Sequence, residues 1–101
     1  MVIKSNYKKV SILEKSNGIF VVFNDFDRKE DFPLFLDFLK QKLGTEISEP
    51  TQYPYSLASE FLVDGEKAIA MFHDDLGCCA RVDPGKQELA NHIINGCYGG
   101  Q

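Results

Sequence analysis

Residues 56–82, SLASEFLVDGEKAIAMFHDDLGCCARV, decide the fold. Residues 56–63, 67–73 and 78–82 are rich in strand-forming side chains and are separated by Asp64-Gly65 and by Asp74-Asp75-Leu76-Gly77. An Asp-Gly pair tolerates the positive φ angles of a tight hairpin, and a glycine after a short acidic run suits a longer turn. The stretch therefore reads as a three-strand antiparallel meander. Parity stays open in the middle strand, where both Ile69-Met71 and Ala70-Phe72 are apolar; one of these pairs, with Leu62, is left on the outer face of the sheet.

Upstream, residues 44–55 carry Pro50, Pro54 and Tyr53 with little periodicity and read as a surface loop. Before them, Asp31-Phe32-Pro33 has the form of a helix start, with an aspartate able to cap and a proline tolerated in the first turn, and Gly44 is a natural stop. At about 100° per residue, Phe32, Phe35, Leu36, Leu39 and Leu43 of this helix (31–43) share one face, while Leu34 and Phe38 fall on the other side. Nearer the N-terminus, residues 7–15 alternate as a half-buried strand, and 19–24 are apolar on both faces, as an inner strand requires. Ser16-Asn17-Gly18 between them makes a hairpin. Downstream, Asp83-Pro84 opens a second helix (84–95) with Leu89, Ala90, Ile93 and Ile94 as its apolar stripe, Gly96 as its stop and 98–101 as a frayed tail. The expected fold is one α+β domain over residues 1–101. Its order is ββαβββα, with a mainly antiparallel five-stranded sheet and two helices on one face.

Composition narrows the function classes. In 101 residues, 44% hydrophobic and 12% aromatic content can build a core without metals or cross-links. A net charge of -4 and a pI near 5.0 oppose nucleic-acid or anionic-membrane partners, which demand clustered cations. No apolar run is long enough to cross a bilayer, and residues 1–9 contain no signal-peptide core. Three cysteines, an odd number, make a poor disulfide framework. A reduced, cytoplasmic setting is the expectation.

Each candidate chemistry meets an obstacle. An apolar strand ending in Asp25-Phe26-Asp27 resembles the nucleophile motif of haloacid-dehalogenase-type phosphatases, which would imply an acyl-phosphate on Asp25, Mg²⁺, and acid/base work by Asp27. That family needs a parallel doubly wound sheet, yet the downstream elements here are hairpins, and Lys29 stands where a threonine belongs. Lys29 and the missing turn glycine likewise break a calcium loop over residues 25–31. Zinc would want Cys78, Cys79, Cys97, His73 and His92, but neighbouring strand residues point to opposite faces and no Cys-x-x-Cys spacing exists. A Cys78 nucleophile with His73 as base and Asp74 or Asp75 as orienter is left open, without specific support. Phe20, Phe23, Phe61 and Phe72 could stack nucleobases only if exposed beside cations, and the chain has two arginines, Arg28 and Arg81. No catalytic residue, metal or cofactor is expected.

The order Asp64-Gly65-Glu66, strand, His73-Asp74-Asp75-Leu76-Gly77, strand resembles that of small bacterial α+β domains, some of them toxin-immunity proteins. The resemblance implies a small acidic protein that binds the positive surface of a partner without catalysis. The expectation is therefore a non-enzymatic interaction module of immunity or regulatory type, binding another protein or a second copy of itself. Its surface would combine the apolar ridge Leu34-Phe38 with the acidic residues Asp25, Asp27, Glu30, Asp74 and Asp75. The rival is a small hydrolase or ligand-binding domain with a pocket beside loop 44–54, built from Tyr53, Tyr55, His73 and Asp74.

Overall fold

The computed structural model describes residues 2–3, 10–54 and 56–98. Strands β1 (Val2–Ile3), β2 (Val10–Lys15), β3 (Gly18–Phe23), β4 (Thr51–Tyr53), β5 (Ser56–Val63), β6 (Glu66–His73) and β7 (Gly77–Val82) form one antiparallel sheet in the order β1-β2-β3-β7-β6-β5-β4. Helices α1 (Phe32–Leu43), preceded by a 3₁₀ turn at Lys29–Asp31, and α2 (Gln87–Tyr98) complete the fold. The α+β class stands, but the sheet has seven strands rather than five. The two extra strands sit at its edges and are two and three residues long, too short to carry an alternating pattern. β4 lies inside the segment expected to be loop 44–55. Residues 7–9 of the expected first strand, Tyr55, and residues 99–101 of the expected tail lie outside the described residues.

The meander forms as its turn chemistry dictates. Asp64 (φ 52°) and Gly65 (φ 81°) both take the left-handed region in a two-residue turn that pairs Val63 with Glu66. Between β6 and β7, the Leu76 N–H donates to the His73 carbonyl at 3.0 Å, and Gly77 (φ 83°) restores the pairing. In the first hairpin Lys15 pairs with Gly18, so Ser16 and Asn17 form the turn and Gly18 begins the strand. A Cβ on Gly18 would come 2.7 Å from the Val82 carbonyl oxygen, which reserves the position for glycine.

α1 ends where expected, with Gly44 left-handed and its N–H donating to the Lys40 carbonyl at 2.9 Å. At its start Asp31 makes no side-chain cap; its carboxylate turns back to accept from the Arg28 N–H at 3.3 Å. α2 starts at Gln87, after a turn through Asp83 to Lys86, and continues through Gly96 to Tyr98. Gly96 is therefore a packing residue rather than a stop. A Cβ there would lie 2.3 Å from a Leu43 methyl, so its absence lets the two helices approach.

Both helices lie on one face of the sheet. Their buried residues, among them Phe35, Leu39, Leu89 and Ile93, share one core with Val10, Val21, Phe23, Ala70, Phe72, Cys78 and Ala80. At one corner the rings gather: Phe38 stands 6.2 Å from Phe23, 5.3 Å from Phe26 and 5.5 Å from Tyr98, centre to centre. Phe38 is thus half-buried beneath Phe26 and Tyr98, while Leu34 stays 60% exposed. The pair does not form one continuous exposed ridge.

Candidate interaction face

The register settles the parity left open in β6. Ala70 pairs with Ala80 and Phe72 with Cys78, all in the helix-side core, so Ile69 and Met71 stand on the opposite face. Pairing then lays out that face in rows across the strands. One row runs Ala58, Met71, Cys79, Val22, Ser11; the next runs Glu60, Ile69, Arg81, Phe20, Leu13. Leu62 and Lys67 pair beyond the second row, and Tyr53, Ser56 and His73 line up beyond the first. An antiparallel sheet with one free face is normally polar on that side. Here it is mainly apolar. Leu13, Phe20 and Cys79 are buried, and Val22, Met71 and Leu76 pack against them in a second cluster to which neither helix contributes.

Exposed apolar surface extends this cluster toward β4, where Leu62 is 55% and Tyr53 51% exposed. No helix among the described residues covers the face, because α1 and α2 both belong to the core on the other side. Cations cluster at one end of it. The Lys15 amine lies 5.7 Å from the centre of the Phe20 ring, and the Arg81 guanidinium, mostly buried, donates to the Asn17 carbonyl. Lys67 completes this end. Two carboxylates stand close by at long range, Asp83 at 3.9 Å from Arg81 and Glu60 at 3.8 Å from Lys67.

The other end carries the acidic turn Asp74-Asp75, and a second loop is tied to it. The Cys78 N–H donates to the Phe26 carbonyl at 2.9 Å, and a Cβ on Gly77 would meet the Asp27 Cα at 3.0 Å. Loop 24–31 is therefore held backbone to backbone against the start of β7. The loop turns toward the helix side there: burial pushes the Cys78 thiol and the Tyr98 hydroxyl up, and Asp31 and Asp27 lie close enough to the first, and Asp25 to the second, to push them further. Asp74 and Asp75 are therefore the acidic residues that stand at this end of the helix-free face, with Lys29 beside Asp74. Leu34 lies on α1, in the helix layer.

The rival readings fare differently. Cys78 shares the helix side with Phe72, whereas His73 pairs with Gly77 on the other face, so strand parity separates the two as a nucleophile and base. His73 instead accepts the Asp75 N–H on Nδ1 at 3.1 Å, closing its own turn. Burial, with Asp31 and Asp27 adding to it, pushes the Cys78 thiol up to about 12, which opposes a thiolate at neutral pH. Burial likewise pushes Cys79 and Cys97 up to about 12. No group of three or more His, Cys, Asp or Glu side chains among the described residues could hold a metal ion. Tyr53 and Asp74 do meet, with Lys29, Gln52 and Ser56, around a cleft of about 140 Å³. That is below the roughly 300 Å³ at which small-molecule pockets begin. Wider hollows of about 290 and 530 Å³ do lie beside loop 44–54, but none of Tyr53, His73 and Asp74 lines either. Tyr55 lies outside the described residues, and His73 does not line the cleft.

Much of the apolar face escaped sequence reasoning. The signal was the run Ile19-Phe20-Val21-Val22-Phe23, apolar at both parities, which says that something must shield both sides of that strand. No helix among the described residues is long and apolar enough to cross a membrane. Comparison of the chain with protein-family models, with curated proteins and with solved structures finds no match, so its function has to be argued from this face.

Proposed function

We propose that the protein is a non-enzymatic protein-interaction module whose working surface is the helix-free face of the sheet. One observation carries the reading: in two adjacent rows of the helix-free sheet face seven residues, Ala58, Met71, Cys79, Val22, Ile69, Phe20 and Leu13, are apolar against three polar ones, Ser11, Glu60 and Arg81, and Leu62 and Tyr53 beyond the rows are 55% and 51% exposed. Burial of the half-exposed Val22, Ile69 and Met71 and of the exposed Leu62 would hold a partner. Asp74 and Asp75 at the end of the face would steer it, with the acidic loop residues Asp25, Asp27 and Glu30 adding to the chain's overall negative charge. A role of immunity or regulatory type, in which an acidic chain masks a partner's surface, is compatible with this arrangement.

Photo-crosslinking tests it. A benzoylphenylalanine probe replaces Leu62 on the sheet face or Leu34 on the helix layer, both well exposed, and the cells are irradiated. The reading predicts discrete protein adducts from position 62. Adducts from position 34 with none from position 62 would move the working surface to the helix layer and overturn it.

A further inference from the structure

Resting on that reading, we infer that the occupant of the helix-free face is a second copy of this chain, packed sheet to sheet about a twofold axis that runs across the strands. The sheet's edges direct association to the face. β1 offers two residues, and β4 offers three between Pro50 and Pro54, which lack the N–H that an added strand needs. Beyond β4, the edge of β5 is already occupied. The Ser48 N–H donates to the Glu60 carbonyl at 2.9 Å, Ser48 Oγ accepts the Glu60 N–H at 2.8 Å, and Thr45 Oγ1 donates to the Leu62 carbonyl at 2.8 Å. Among the described residues no long free strand is left from which a continuous sheet across two copies could start.

Area and charge both favour self-association. Five strands at about 4.8 Å spacing, with about six residues each at ~3.4 Å per residue, make a face of about 24 by 20 Å. Two such faces have a combined footprint of about 1,000 Å², the lower bound for a specific interface. The new burial falls on Val22, Ile69, Met71 and Leu62, since Leu13, Phe20 and Cys79 are already shielded within each copy. The face is also polarised along its strands, with Lys15, Lys67 and Arg81 outnumbering Glu60 and Asp83 at one end and Asp74 and Asp75 at the other. A twofold axis along the strands would stack like charge on like. An axis across them sets Lys67 of one copy near Asp74 of the other, and the reciprocal pair forms by symmetry. Met71, near the middle of β6, then lies close to the axis and faces its own counterpart, so one substitution there acts twice.

Sedimentation equilibrium tests the inference. Wild-type chain at about 100 μM should have twice the 11.4 kDa chain mass. Met71→Arg should be monomeric with an unchanged far-ultraviolet spectrum, and Leu34→Glu should remain dimeric. Should Met71→Arg not fold, Ala58→Lys in the same row replaces it, with the same outcome expected. Lys67→Glu and Asp74→Lys should each weaken the dimer by about tenfold or more, and the double reversal should restore it. Wild type that stays monomeric to about 1 mM, or dissociates with Leu34→Glu but not with Met71→Arg, overturns the inference. Single reversals that the double variant does not rescue overturn the axis. The photo-crosslink separates this failure from that of the functional reading: position-62 adducts to a chain of different mass keep the face as a binding surface while excluding the second copy.

Discussion

Replacing Phe38 by alanine discriminates most sharply between a surface ridge and a packed corner. Full burial of a phenylalanine makes its loss cost about 3–5 kcal/mol, and each well-placed ring pair adds about 0.5–1.5 kcal/mol. Phe38 is half-buried, so half the transfer value applies, about 1.5–2.5 kcal/mol, and its ring contacts with Phe23, Phe26 and Tyr98 at 5.3–6.2 Å add to that. Even with each pair at the low end the loss is at least about 3 kcal/mol, equivalent to a fall in Tm of at least about 12 °C for a chain of this size. Leu34→Ala, at a residue 60% exposed, should cost no more than about 0.5 kcal/mol. Urea denaturation followed by circular dichroism at one fixed protein concentration measures both, and an unchanged m-value shows that the same transition is being read. If Phe38→Ala proves as mild as Leu34→Ala, the aromatic corner is wrong and the exposed ridge on α1 returns.

Gly18→Ala should destabilise by about 1–3 kcal/mol, because φ is 149° there and the new Cβ would meet the Val82 carbonyl oxygen at 2.7 Å; thermal melts beside Gly85→Ala, with open space around its Cβ, separate the clash from the backbone term. The three thiols should not react with a disulfide reagent at pH 8 until urea unfolds the chain, since all are buried and pushed up to about 12. A thiol raised in the folded state stays protonated while its unfolded counterpart ionises near 9.0, so the unfolded state binds fewer protons above that pH. Stability should be level below about pH 8 and fall as pH rises from about 9 toward 12, each thiol contributing up to about 1.4 kcal/mol per pH unit. Flat stability across that range would refute the burial of the thiols.

What could be read from the sequence depended on how many surfaces each element meets. The turns were legible because their chemistry is local: Asp64-Gly65 and the 74–77 segment need no partner to declare themselves. α1 was misread at Phe38 because a helical wheel assumes one buried side, whereas this helix sits in a corner bounded by the sheet, by α2 ending at Tyr98, and by Phe26 from the loop before it. Gly96 looked like a terminator because glycine ends helices by conformation, yet here its use is steric, as the point where Leu43 enters. The outer face stayed ambiguous because in β6 both parities are apolar, and only pairing with β7 tells them apart. The acidic residues were individually visible. Which side of the sheet each one takes depends on a hydrogen bond between Phe26 and Cys78, fifty-two positions apart in the chain, which no local pattern encodes.

The strand order also has a kinetic side. β1, β2 and β3 are joined by neighbours in sequence, and so are β4 to β7; among the described residues the only strand pairing between these halves is β3 with β7. Each half can assemble by closing short loops, which takes microseconds. The β3–β7 seam instead closes a loop that contains all of α1 and the rest of the meander, and the entropy of that closure must be met before its contacts are rewarded. Ile19, Val21, Ala80 and Val82 lie along the seam, so substitutions there should slow folding more than they speed unfolding, as φ-values would show, and in a nascent chain β3 meets its neighbour only after β7 has emerged.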